Sequence, residues 1–205
     1  MSLFSGDEER RVSDAITQAE RKTSGEVVVV VAARSDTYLY IPPLIGALVS
    51  LLLPWLLIFF TKLGVEMIYL AQLALFLVVT ALLLPHAMRA AFVPVHIKRL
   101  HAHRRAVEQF IAQDLHTTTG HTGVLIFVSV AERYAEILAD TAIDARVPQG
   151  TWKSIVDELA TACAGGKPAD GLVAAIGAVG THLARHFPPD TRDVNELPDH
   201  LIVLP

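Results

Sequence analysis

Two long apolar runs, separated by a short polar connector, dominate the pattern of hydrophobic and polar positions along the chain. No charged residue occurs in 41–60 or in 67–84, and Leu, Ile, Val and Phe predominate in both runs. A bilayer core of about 30 Å needs about 20 helical residues. The runs therefore predict two transmembrane helices, and the connector 61–66 is so short that the helices must form an antiparallel hairpin.

The alternative interpretation is a pair of helices buried in a soluble core. Such a core would have to surround two helices that are apolar on every side, which a chain of 205 residues is too small to do. The composition, with 52% hydrophobic residues, agrees with the membrane interpretation.

Basic residues flank the two runs and predict their orientation. The connector holds only Lys62. Basic residues are more numerous before the first run and after the second: Arg21, Lys22, Arg34, Arg89, Lys98, Arg99, Arg104 and Arg105. Such residues mark cytoplasmic flanks. No apolar segment follows the start of the chain, so we expect no secretory signal there. The pattern predicts an integral plasma (inner) membrane protein with two spans, whose termini and soluble domain are cytoplasmic. The basic stretch after the second run is either a plain topology signal, which we favour, or a contact with anionic headgroups.

The remaining sequence predicts a small α/β domain. Ser5 and Glu8 have the spacing of a capping box and predict a helix that ends near Thr23. Residues 26–33 form a β-branched apolar run that is typical of a central strand buried on both faces. After the hairpin, the sequence predicts a helix over 97–117, strands over 124–130 and 134–140, and helices over 150–164 and 170–186. The two strands are expected to pair antiparallel.

The hairpin interrupts this domain after its first strand. The domain is predicted to comprise 1–37 and 89–187, around the transmembrane hairpin at 38–88, with an acidic, Pro-containing tail at 188–205. The fold class is α/β, with a short mixed sheet flanked by helices and interrupted by the two-helix hairpin. An insertion of this kind favours a scaffold or partner at the membrane surface over a freely diffusing enzyme.

Charge and motifs exclude several classes of function. The formal net charge is −4 and no basic stripe interleaved with aromatic residues occurs, so we expect no nucleic-acid partner. The single cysteine, Cys163, allows no intramolecular disulfide. His96 and His103 share one helix face, but no HExxH motif accompanies them, so an ordinary helix surface is favoured over a zinc site.

Three aspartates and one arginine are the candidates for chemistry. Asp140 and Asp144 follow the third predicted strand, and Asp170 begins the last predicted helix. Carboxylates at such positions could gather around calcium or another divalent cation, although Asp170 could instead cap its helix and the other two could be solvated. Arg133, at the predicted strand turn, is either an anion contact or solvent-exposed.

Several segments are similar to one known family. The stretches SGEVVVVVA, GVLIFVSVAERYAEILAD and GKPADGLVAAIGAVGTHLARHFP resemble the TPM domain over 6–187, and Arg133 matches a position of that family. The resemblance implies an α/β sandwich around a short mixed sheet, divalent-metal binding and, for some plant members, phosphatase activity. The membrane hairpin and the expected cytosolic domain identify the chain with a bacterial membrane-inserted branch.

Two functions therefore remain possible, and only one of them would make the protein an enzyme. The favoured one is a non-enzymatic interaction, assembly or maintenance factor that binds the lipid bilayer and a membrane-protein partner. The other is a divalent-metal-dependent hydrolase of the phosphatase type that uses the three aspartates. Self-association of the chain is compatible with both.

Overall fold

A single sheet organises the polar part of the chain. The computed structural model describes residues 3–148, 150–189, 197 and 200–205, and within them four strands form a sheet of order β3-β2-β1-β4. The strands are β1 (Glu26–Ala32), β2 (Gly123–Ser129), β3 (Tyr134–Ala139) and β4 (Leu201–Leu204). β1 pairs parallel with both β2 and β4, and β2 pairs antiparallel with β3. The sheet is therefore mixed, as predicted.

β1 lies inside the sheet and is buried on both faces. All seven of its residues are buried, and the same is true of β2. Alternate side chains point to opposite faces, so burial of both faces favours consecutive apolar residues, as in 27–32 of β1. The prediction of a central, doubly buried first strand is confirmed.

Helices cover both faces of the sheet. One face packs against α1 (Gly6–Glu20), α7 (Thr151–Ala164) and α8 (Pro168–His186), which contribute side chains such as Ile16, Leu159 and Ile176. Ala106 and Phe110 of α5 (Val95–Ala112) pack on the other face. This arrangement confirms the predicted α/β sandwich.

The first helix begins with the predicted capping box. Ser5 Oγ accepts a hydrogen bond from the backbone N of Glu8 at 3.3 Å, and Ser5 N donates to the Glu8 carboxylate at 2.8 Å. These bonds satisfy amides that have no partner within the helix. The hydrogen bond from the Ser5 backbone also lowers the pKa of Glu8.

The two apolar runs form helices that pack against each other. They are α2 (Ile41–Phe60) and α3 (Val65–Leu83), followed by the short α4 (His86–Ala91). Gly46 permits a close approach of α2 to α3, because a Cβ there would lie 2.5 Å from Thr80 Oγ1 and 3.2 Å from Phe76 O. By length and composition, α2 and α3 are the two described helices that could cross a membrane.

The chain divides into two compact units. One contains the residues up to Ser35 and those from Arg99 onward, and the other is Asp36–Lys98. The second unit is thus inserted in the crossover connection from β1 to its parallel neighbour β2. The boundaries predicted at 37/38, 88/89 and 187/188 remain predictions.

The helix predicted over 97–117 is wrong at its carboxyl end. α5 stops at Ala112, and a separate 3-10 turn, Leu115–Thr117, follows. Between them Asp114 has φ +55°, a left-handed conformation that ends an α-helix. Apolar spacing continued through this break, so periodicity alone did not reveal it.

Besides the 3-10 turn, three elements and one helix start were not predicted, and the first of these elements is α4. α6 (Thr141–Asp144) is a single turn after β3, and β4 pairs with β1 in what was predicted to be a tail. α8 begins at Pro168 rather than at Asp170, because the fixed φ of proline suits the first helical position. Residues 190–196, 198 and 199 of the tail lie outside the described residues.

Two glycines of α8 provide a matched test of its packing against α1. A Cβ at Gly180 would lie 2.8 Å from the Cβ of Ala19, whereas a Cβ at Gly177 would meet nothing within 4 Å. Gly177→Ala should stabilise the domain by about 1 kcal/mol through helix propensity alone. Gly180→Ala should destabilise it by about 1–3 kcal/mol, because α1 and α8 must separate. Thermal unfolding of the detergent-solubilised protein measures both; equal stabilities would contradict the close packing.

Candidate functional site

A cavity of about 470 Å³ lies at the carboxyl ends of β1 and β2. Its walls come from the segment before α1, the two strand ends, the β2–β3 turn, and the facing parts of α7 and α8. Most of the side chains are apolar, among them Phe4, Val31, Val128, Ala160 and Leu172. The carboxyl ends of parallel strands are where α/β folds commonly bind ligands. The cavity is therefore a candidate binding site.

Arg133 is the cationic residue of the cavity lining. It belongs to the tight turn between β2 and β3, where its backbone N donates to Val130 O at 3.2 Å and its φ is +50°. The residue is exposed. Arg133 is therefore exposed to solvent, as one interpretation predicted, and it also lines the cavity, where an anion contact is possible in space. Its role as an anion contact remains a prediction.

A polar network holds the turn beside this cavity. Ser129 is fully buried, and its hydroxyl donates to the Glu132 carboxylate. Ser35, which follows β1, donates from its hydroxyl to Ser129 Oγ at 2.7 Å and from its backbone N to Glu132 at 2.9 Å. These bonds fasten the β2–β3 turn to the end of β1, so Ser129 and Glu132 position the cavity wall.

The cavity also contains the protein's cysteine. Cys163 on α7 is half-buried, and burial raises the pKa of its thiol. A raised pKa keeps the thiol protonated at neutral pH, and the thiol is a far weaker nucleophile than the thiolate. Cys163 therefore serves as an apolar wall residue.

A second polar group lies on the opposite face of the sheet. His103 Nδ1, on α5, lies 2.9 and 3.0 Å from the two carboxylate oxygens of Glu136 on β3. Tyr134 shares this face, and its pKa is raised by burial first and then by the nearby charge of Glu136. His103 is therefore bonded to the sheet through Glu136.

Asp140 caps a helix and contacts a histidine. Its side chain accepts a hydrogen bond from Thr141 N at 2.7 Å and lies 3.1 Å from His121 Nδ1. The residue is buried, so both carboxylate oxygens need such partners. Asp144 ends the same short helix and is exposed.

Asp170 is not a helix cap, contrary to the alternative considered for it. It lies in the first turn of α8, one position beyond Ala169, while Lys167 occupies the cap position without a side-chain bond. Asp170 instead forms an ion pair with Arg11 of α1 at 2.5 Å. A carboxylate in a first turn is also favoured by the helix dipole.

Asp140 and Asp170 therefore have different partners, and Asp144 is exposed. Across the described ranges of the chain, no three His, Cys, Asp or Glu side chains are grouped so that they could hold a metal ion. Their predicted metal role remains a prediction that only a binding measurement tests.

Sequence reasoning missed the residues that shape the site. The Ser129–Glu132–Ser35 network joins positions that are nearly a hundred residues apart, and no local pattern shows that they meet. The sequence contained a weak indication of the contact between His103 and Glu136. Glu136 alternates with apolar residues on a half-buried strand, so its side chain is expected to face a helix.

The buried network predicts unequal effects of two matched serine variants. Ser129→Ala removes a donor to Glu132 and an acceptor for Ser35, and should destabilise the domain by about 1–3 kcal/mol. Ser35→Ala removes one hydroxyl donor, keeps the backbone bond to Glu132 and should cost less. Denaturant unfolding compares them, and equal losses would show that the network does not centre on Ser129.

Comparison with known proteins adds a family and a fold. Residues 88–182 match the model of the TPM domain, a stretch that includes α5, β2, β3 and most of α8. No curated protein matches the chain. The NMR structure of BA42 protein from the psychrophilic bacterium Bizionia argentinensis sp. nov. is similar, with a TM-score of 0.62 over 98% of this chain and 96% of that one. The two chains are 20% identical, so this likeness shows the fold. Residues 88–182 therefore form a TPM domain, in a chain that shares its fold with the BA42 structure.

Proposed function

We propose that α2 and α3 anchor the protein in the plasma (inner) membrane and that its TPM domain binds a membrane-protein partner in the cytosol without catalysing a reaction. The exposure of the two apolar helices carries the anchoring part of this proposal. Trp55 is 69% exposed and Phe60 81% exposed, and large apolar side chains are exposed along both helices.

Water would solvate such a surface poorly. Each square ångström of apolar surface left in water costs roughly 25 cal/mol, and monomeric soluble proteins rarely expose contiguous apolar patches above a few hundred square ångströms. The core helix of a soluble protein would be mostly buried, whereas only Ile68 and Leu83 are buried among the 19 residues of α3. Lipid chains would cover these side chains, and both helices satisfy their backbone polar groups internally.

The distribution of basic residues supports a cytoplasmic TPM domain. Arg34 precedes α2, while Arg89, Lys98 and Arg99 follow α3. The connector between the helices has Lys62 alone. Lys and Arg close to span ends favour the cytoplasmic side, so the connector would face outward.

Cysteine labelling tests this orientation. In a Cys163→Ala background, a membrane-impermeant maleimide added to spheroplasts should label Thr61→Cys. It should label Lys153→Cys, an exposed position of α7, only after the membrane is permeabilised. The reverse pattern would contradict a cytoplasmic domain, and labelling of both positions in intact spheroplasts would contradict the hairpin.

The cavity at the strand ends supports binding as the role of the domain. Its walls are mostly apolar, and its polar Ser129 is bonded to Glu132 and Ser35. Arg133 supplies a cation at the cavity. An apolar recess with one cationic group suits an apolar partner segment that carries an anionic group. We therefore assign the partner contact to this cavity.

Site-specific crosslinking in cells tests the assignment. A photoreactive amino acid at Ala164, an exposed residue of the cavity lining, should crosslink to one integral membrane protein. The same group at Thr161, exposed on α7 outside that lining, is the matched control and should give no such product. Arg133→Gln should reduce the Ala164 product about tenfold, if the guanidinium contributes a charge-assisted bond of about 1.5 kcal/mol. Equal products from both positions would contradict the assignment.

The alternative function of the protein is that of a metal-dependent phosphatase. Calorimetry of the solubilised protein with calcium, together with hydrolysis of a phosphomonoester, distinguishes the two. A saturable heat and calcium-dependent hydrolysis, both lost in Asp140→Asn and in Asp170→Asn but kept in Asp157→Asn, would establish the hydrolase. We expect no saturable heat and no hydrolysis.

A further inference from the structure

The outward side of α5 carries a row of apolar residues that the described part of the chain leaves exposed. Ala102 and Ala106 face the sheet and are fully buried. Leu100, Val107 and Ile111 are 45%, 37% and 55% exposed. Positions separated by seven and four residues fall on one stripe of an α-helix, so the three lie in one row.

An arginine interrupts this row. Arg104 lies four residues after Leu100 and is exposed within the row, whereas Arg99 lies on the side of the helix that carries His103 and Ala106, where its charge acts on Tyr134. Arg104 forms no ion pair with any carboxylate that the structure describes. The acidic side chain on this side, Glu108, is bonded to Arg105 at 3.1 Å. The outward side of α5 therefore combines apolar area with net positive charge.

We propose that this outward side of α5, the row of Leu100, Val107 and Ile111 with Arg104, lies on the headgroup layer of an anionic bilayer. A helix with an apolar stripe bordered by arginine partitions into the interface, where its apolar side chains leave water and its guanidinium groups meet anionic headgroups. The charge of the row selects an anionic lipid surface over an apolar protein groove.

This inference rests on the proposed membrane insertion of α2 and α3. α5 begins at Val95, a short segment after α3 ends at Leu83. Contact of α5 with the same membrane is therefore an intramolecular event, which needs little intrinsic affinity because the effective concentration of the surface is high.

Depth-dependent fluorescence tests the contact in the full-length protein. A Cys163→Ala protein carries an environment-sensitive fluorophore at Val107→Cys or Ile111→Cys and is reconstituted into phosphatidylcholine vesicles with or without phosphatidylglycerol. With phosphatidylglycerol, spin-labelled lipids should quench both positions at least about threefold more than Lys153→Cys on α7. Arg104→Gln should abolish the dependence on phosphatidylglycerol, and Lys153→Gln should not alter it.

A fluorophore at Leu52→Cys in α2 separates the two levels of the proposal. Quenching at Leu52 without quenching at Val107 and Ile111 would overturn the α5 contact and leave membrane insertion intact. No quenching at Leu52 would overturn insertion itself. Equal quenching of the row in both lipid mixtures would overturn the anionic selectivity. A blue-shifted but unquenched fluorophore would mean that protein covers the row, which would also overturn the proposal.

Discussion

The fold depends on pairing both edges of β1. The seven residues of this strand are all buried, so water cannot satisfy their backbone N–H and C=O groups. One edge is completed by β2, which follows the apolar hairpin, and the other by β4 near the end of the sequence. β1 thus becomes stable only after distant segments have returned to it. Closing such long loops costs conformational entropy. The packing of α1 against α8 on one face of the sheet helps to offset this cost.

The apolar hairpin is placed where this topology tolerates it. Parallel neighbours need a crossover connection, and the crossover from β1 to β2 contains α2, α3, α4 and α5. α5 alone supplies the helix that covers the sheet, through Ala106 and Phe110. The preceding helices are therefore an insertion that the sheet does not require. Two antiparallel helices also bring the two ends of the insertion to the same end of the hairpin, which a single helix could not do.

Local signals predicted the elements whose causes are local. The capping box of Ser5 and Glu8, the β-branched run of β1 and the two apolar helices each depend on neighbouring residues, and the sequence located them closely. β4 has only four residues, and it is a strand because β1 offers a free edge there. The same limit applies to the cavity: Ser129, Glu132 and Ser35 meet only once β1 and β2 are paired. Non-local causes account for most of what the sequence did not reveal.

The aspartates show why residue type and position were insufficient to assign a metal site. Carboxylates near helix starts stabilise a fold by themselves, as Asp140 does for α6 and as Asp170 does by joining α8 to Arg11. Competition with these partners would not prevent metal binding, because the ion pair of Asp170 is more than half exposed and such pairs contribute only about 0–1 kcal/mol. A hard divalent cation instead requires six to eight oxygens within about 2.6 Å. Convergence of oxygens therefore decides the question, and convergence is a property of tertiary structure that no spacing along this chain encodes.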